Sequence, residues 1–516
     1  MKKFIITLFI IILFITSTLY IILFTKSGNY LVANYIEKSF NKKQKDFTLK
    51  IDNLVIDYDL LILKATLNDY SKIELNAMYS IFNKELIAEY FIDIEDLSIF
   101  NDLAKMKLKG DLKIVGDVVH NSDITTIKGI SNVAKSETNY ELVLKDFKIN
   151  DIYFDTKNAK IDELLAIVNQ PIYTTGVLNL TSKLKSNSSD FFDGVIKVDI
   201  KNGKLNNDII EKEFKTPIKQ DILYSLNSQS NLVKNDLNST IDLLSNLANI
   251  NIKNLNFNIK ESILKSDYNI LIPDLSKLKD FTIIPLRGEN ISLNGNIYKD
   301  LKDLKDLKVD GDSKILDGIF KLNLINNDIS INLENANSKK LLYMLNQNEF
   351  FDSNINLDLK YNILNGNGNF ASTLDNGHLV KNNFSKNIEK FANIDITKEL
   401  YEIGTVKGEI LIDKVISNIY LKSSKSIIES KSSILDFKNK KIDSKFDINL
   451  NGNKFVIFLE DDINNPNIKI DIKNLLIESI KKSKESDKIE RKIEELLNKN
   501  GIENSKDLKN TIKSLF

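Results

Sequence analysis

The chain carries two histidines, His120 and His378, which stand 258 residues apart. Neither lies in an H-E-x-x-H spacing, the arrangement that places two imidazoles on one helix face around a metal. His378 takes the place that Lys204 holds in a related stretch and reads as a solvated turn residue. The sequence has no cysteine, which excludes thiol nucleophiles, disulfides and thiolate metal ligands. Carboxylate pairs such as Glu460 and Asp461 are of a type that does acid and base work, but 71 acidic residues make adjacent pairs a consequence of composition. No Gly-x-Ser-x-Gly elbow, phosphate-cradling loop or dinucleotide fingerprint is present. The sequence therefore predicts no enzyme, no catalytic residue, no metal site and no bound cofactor. The 71 basic residues balance the 71 acidic ones, which argues against a nucleic-acid partner.

The chemistry these residue types do support is apolar binding. Ile196, Val198 and Ile200 in "DGVIKVDIKNGKL", and Ile355, Leu357 and Leu359 in "NINLDLK", stand at alternate positions. That spacing puts each trio on one face of a strand, as candidate lining of an apolar groove or as ordinary core.

The elements that position them follow from periodicity. Ile73, Leu75, Ala77, Tyr79 and Ile81 alternate with mostly polar residues, "FNKE" interrupts, and Leu86, Ala88, Tyr90, Ile92 and Ile94 alternate again, which predicts a hairpin. Phe320, Leu322 and Leu324 with Ile329, Ile331 and Leu333 predict a second, and Phe446, Ile448 and Leu450 with Phe455, Ile457 and Leu459 a third. Asn and Asp supply turn chemistry in a chain with only 18 glycines. Helical patterns are few: "GNYLVANYIEKSF", "IDELLAIVN", "SKKLLYMLN", a stretch from Asn207 to Ala248, another from Asn383 to Tyr401, and the tail after Asp471. In that tail Ile477, Ile480, Ile489, Ile493, Leu496 and Leu497 fall at helical spacing, which predicts an amphipathic helix or helical hairpin that caps the open end of the sheet or docks on a partner or a membrane surface.

The first segment has another character. From Phe4 through Leu13 and Leu23 to Phe24 run 21 uncharged, mostly apolar residues, long enough at about 1.5 Å per residue to cross a bilayer as a helix. No small-residue cleavage site follows, so the run is expected to be an uncleaved anchor. Lys2 and Lys3 favour a cytoplasmic amino terminus, Lys26, Lys38, Lys42, Lys43 and Lys45 after the run pull the other way, and because long domains translocate largely regardless of charge a body on the far side is expected.

Long stretches of the chain repeat. "EYFIDIEDLS" at 89–98 aligns with "DYNILIPDLS" at 267–276, an offset of 178, and "LLAIVNQ" at 164–170 with "LLYMLNQ" at 341–347, an offset of 177. "DGVIKVDIKNGKL" at 193–205 aligns with "NGNFASTLDNGHL" at 367–379, an offset of 174. Ordered matches with so little drift predict duplicated modules over about 70–206 and 248–380. Segmentation follows: an anchor at 1–26, a juxtamembrane helix at 27–46, a first β-module with a helical insertion at 47–247, a second at 248–402, a β-region at 403–473 and a helical tail at 474–516. The fold class is mainly β, an elongated, duplicated antiparallel sheet with a few short helices. Periodicity leaves two arrangements open, β-sandwich-like domains in series or a curved sheet forming an apolar gutter suited to acyl chains.

The anchor followed by "SGNYLVANYIEKSF", the Gly-spaced strands "DGVIKVDIKNGKL" and "NGNFASTLDNGHL", and the closing run from "SSILDFKNKK" to "NNPNIKIDIKNLL" with Asn465 and Pro466 resemble the AsmA-like family of bacterial envelope proteins. The resemblance implies a single-pass inner-membrane protein with a periplasmic β-groove, associated with phospholipid movement toward the outer membrane and with outer-membrane lipid homeostasis. It implies as partners the inner membrane, phospholipid acyl chains and, through the tail, envelope proteins. A scaffold for envelope assembly is the alternative function.

Overall fold

The computed structural model describes residues 24–471 apart from 45–46, 188–190, 216, 283, 289, 304–305, 383–384, 387–388, 390–394 and 464. The apolar run up to Leu23, with Phe4 and Leu13, and the tail helix after Asp471 lie outside the described residues. Among those described, no helix is long and apolar enough to cross a membrane.

The chain divides into two compact units, Met1–Ser266 and Asp267–Phe516. Among the described residues of the first, thirteen strands from Leu49–Ile56 to Asn249–Asn258 precede one that reaches the boundary, Ile263–Ile272. Among the described residues of the second, twelve follow, from Ile291–Asp300 to Asn467–Asp471. Wherever register is described, a strand pairs antiparallel with its neighbour in sequence.

Alternation explains the pairing. In the first predicted hairpin Ile73 faces Ile92, Leu75 faces Tyr90 and Ala77 faces Ala88. In the second Phe320 faces Leu333 and Leu322 faces Ile331; in the third Phe446 faces Ile457 and Ile448 faces Phe455. A one-residue slip would turn each of these apolar sets to the other face, so burial fixes register. Two-residue turns with positive φ at both positions close several hairpins: Asp146 and Phe147 (49° and 59°), Leu316 and Asp317 (54° and 64°), Asn451 and Gly452 (49° and 87°). Such turns match the right-handed twist of paired strands.

Helices occupy the predicted places Lys26–Lys43, Ile161–Ile167 and Ser338–Met344. The stretch from Asn207 to Ala248 is different. Only Asn207–Phe214 is helical, started by the Asn206 side chain accepting from the Ile209 N–H at 3.3 Å. Leu223–Val233 and Asp236–Ser245 form a hairpin instead. Its Leu and Ile positions fit both periods over a short window, and pairing with Gly194–Ile200 decides for the strand. Over Asn383–Tyr401 the described residues Ser385, Lys386 and Glu389 are helical, Ile396–Lys398 forms a 3-10 turn, and Tyr401 opens a strand.

The repeat is visible in element bounds. Ser71–Ser80 and Glu85–Ile94 correspond to Asn249–Asn258 and Ile263–Ile272 at an offset of 178, and Leu112–Asn121 to Ile291–Asp300 at 179. Helix Ile161–Ile167 corresponds to Ser338–Met344 at 177. Local bonds repeat with them. Asp96 and Asp274 each accept from the Ser N–H two residues on at 2.9 Å, and the N–H groups of Asn158 and Asn335 each donate to Oδ1 of Asn179 and Asn356 at 2.9 Å. The correspondence reaches further than sequence matching does. Leu223–Val233 and Asp236–Ser245 match Tyr401–Leu411 and Lys414–Ser423, and the ST turn at Ser245, accepting from Ala248 N–H at 2.9 Å, recurs at Ser423 with Ser426 at 2.8 Å.

Candidate functional site

Strand register assembles one continuous face in the first unit. A cross-strand row runs through Leu63, Leu75, Tyr90, Gly116, Gly129, Tyr140, Phe154, Ser182 and Ile196, each residue opposite the next. The row beside it holds Ile73, Ile92, Ile114, Ser131, Thr138, Thr156, Leu180 and Val198. Ile73, Leu75, Ile92, Ile114, Leu142 and Phe154 are among the residues that line an open cavity of about 660 Å³ above these rows. They are half-buried, and at one end of the floor Ile73 and Ile92 pack against the buried cluster of Leu67, Ile94, Leu97 and Ile99.

Two aromatic side chains give this face its polar feature. Gly116 and Gly129 are direct cross-strand partners. A Cβ on either would meet a tyrosine hydroxyl, that of Tyr90 at 2.6 Å for Gly116 and that of Tyr140 at 2.7 Å for Gly129. The two glycines therefore let the phenol tips lie flat on the sheet, where the hydroxyls hydrogen-bond each other. Burial pushes both phenols above the usual tyrosine range, and for Tyr90 the bond with Tyr140 adds to it. The signal in the sequence is two glycines inside otherwise regular strands; alternation alone makes Tyr90 a plain member of its run. Tyr268 recurs in the second unit over Gly295 and Gly311, with its hydroxyl donating to the Asp310 carbonyl at 2.8 Å.

Ile196 and Val198 share rows with the cavity lining, and Ile200 lies one row over, opposite Leu178; all three are half-buried. The other trio sits in the second unit in a different setting. Ile355 lies in a row with Ala336, Leu374, Gly404, Leu421, Ile428, Ile448 and Phe455, most of it packed as a closed core. Leu357 packs against that core half-buried, and Leu359 is half-buried between Ile331 and Phe370. Of the anchor residues only Phe24 is described, and it is half-buried.

The histidines serve local structure. His120 Nδ1 lies 2.8 Å from the Thr125 hydroxyl and its ring stacks on Phe147 with centroids 5.5 Å apart. The His378 imidazole donates from Nδ1 to the Glu399 carbonyl at 3.1 Å. Glu460 pairs with Lys469 on the last hairpin. No family model, no characterised protein and no solved structure matches this chain.

Proposed function

We propose that this is an inner-membrane anchored protein of the AsmA-like family whose apolar strand face, held in the periplasm, binds phospholipid acyl chains and conducts them between membranes without catalysis. The observation that carries the reading is the open face of the first unit. Leu75, Ile114 and Leu142 form an apolar floor that the protein leaves half-buried, where a folded domain normally covers such residues. Each methylene withdrawn from water contributes about 0.8 kcal/mol, so an acyl chain that would cost on the order of ten kcal/mol to expose is offset by such a floor. The face supplies a path and not a driving force.

A second reading draws on the second unit. There the rows through Ile355, Ile448 and Phe455 are filled by the protein itself, with Leu450 and Ile457 at 0% exposure. That closure favours a β-sandwich-like scaffold for envelope assembly, with partner proteins in place of lipid.

Adjacent residues on opposite faces separate the two. A photo-crosslinking amino acid at Ile114 should capture phospholipid in intact bacteria, detected by mass spectrometry of the purified full chain. The same group at Val115, whose side chain points to the other face and is 56% exposed, should not. Equal capture at both, or protein adducts alone at Ile114, would sink the conduit and leave the scaffold.

A further inference from the structure

The helix Lys26–Lys43 is amphipathic in an unusual sense. It begins at Thr25, whose backbone is extended (φ −116°, ψ 156°) and whose Oγ1 accepts from the Gly28 N–H at 3.1 Å. Asn29, Ala33, Glu37 and Asn41 recur every four residues and form one stripe. That stripe serves the first strand, Leu49–Ile56. Glu37 accepts from the Ile51 N–H at 2.5 Å, Asn41 bonds both the Leu49 N–H (2.7 Å) and its carbonyl (2.9 Å), and Asn29 donates to the Ile56 carbonyl at 3.3 Å. Side chains thus take the place of a neighbouring strand on this sheet edge.

The opposite stripe is Leu31, Tyr35, Lys38 and Lys42, two positions on and so about 200° around the helix. Here the large apolar side chains face outward: Leu31 is 59% exposed, Tyr35 74% and, beside them, Tyr30 71%. A helix packed on a soluble domain would turn these inward. Tyrosines with lysines around them suit the boundary of a bilayer, where the ring meets acyl carbon and the hydroxyl and ammonium groups meet headgroups. Lys26, Lys38, Lys42 and Lys43 lie on this helix against the single acid Glu37, which is engaged on the strand, so the charge offered outward is positive and fits anionic phospholipid. The 21-residue apolar run ends at Phe24, immediately before the cap.

From these observations we infer that the helix Lys26–Lys43 lies in the headgroup layer of an anionic bilayer, Tyr30, Leu31 and Tyr35 inward, and so fixes the first strand edge of the sheet at the membrane surface. This rests on the membrane-anchor part of the proposed function and is independent of whether the strand face carries lipid.

The chain contains no tryptophan, so one introduced indole reports alone. The full-length Y35W protein, reconstituted into phosphatidylethanolamine and phosphatidylglycerol vesicles, should lose about half its emission when lipids brominated on the upper acyl chain are used, as expected for a face seated about 5–10 Å into the boundary. F147W, at a residue 75% exposed on a distant hairpin turn, should be unaffected. Y30W repeats the test from the neighbouring position. Failure of the protein to float with vesicles would overturn both the anchor and this placement. Flotation with Y35W and Y30W as bright as F147W would overturn the placement alone. Shielding of Y35W from bromine and from aqueous iodide alike would mean a protein surface, a second copy or a partner, and would equally overturn it.

Discussion

Ile114 in the first unit and Ile457 in the second occupy apolar positions of similarly alternating strands, yet Ile114 lines an open cavity while Ile457 is sealed at 0% exposure. The difference lies in what the neighbouring positions supply. Around Ile355 and Ile457 the face carries large side chains, Phe351, Tyr401 and Phe455, with Phe351 and Tyr401 meeting edge to face at 6.1 Å, and Ile396 closes over them. Around Ile114 it carries Gly116 and Gly129 with two phenols pressed flat, then Ser131 and Thr138. Small and flattened residues leave room that large ones fill, so the same alternation produces a floor in one place and a core in another.

The largest expected effect tests this contrast. Ile457→Ala should cost about 3 kcal/mol in urea unfolding, as a sealed site leaves a cavity, whereas Ile114→Ala should cost about 1 kcal/mol because its surroundings are already open. Equal losses would break the distinction between the units. Next comes the glycine pair. A side chain at Gly116 meets the Lys128 carbonyl and the Tyr90 ring, so Gly116→Val should lower stability by about 2 kcal/mol, read as a fall in melting temperature.

Two tyrosines should then respond with opposite sign. Tyr90→Phe removes the bond to Tyr140 and should cost about 1 kcal/mol. Among the described residues the buried Tyr401 hydroxyl has no hydrogen-bond partner, so Tyr401→Phe should gain up to about 1 kcal/mol. The gentlest effect is alkaline. Burial raises the phenols of Tyr90, Tyr140, Tyr268 and Tyr401, which therefore keep their protons in the folded chain where the unfolded chain loses them. Stability should hold below pH about 10 and fall as pH rises from there through the raised folded values. Ultraviolet titration of the native protein should show these four ionising late, and a single transition near the free phenol value would contradict their burial.

Strand pairing was legible because alternation leaves one register that buries Ile73, Leu322 or Ile448 on the inner face. Repeats were legible because Asn-capped turns and glycines recur in order. Closure was not legible: Ile196 and Ile355 look alike in sequence, and only the row in which each sits, beside Ser182 and Ser230 or beside Leu374 and Ala336, separates open from sealed. The hairpin at Leu223–Ser245 was lost because Ser and Asn carry little strand preference, and the partner that imposes it lies in the preceding strand.

Pairing between sequence neighbours also governs how the protein comes into being. Each strand needs only the one before it, so contacts close over short chain separations and the sheet can grow in the order of synthesis. The helix Lys26–Lys43 is made before the strand it caps, which blocks addition at the first edge from the outset. Growth then has one direction, and a stalled or shortened chain would carry a finished sheet with a single live edge, the last strand to emerge.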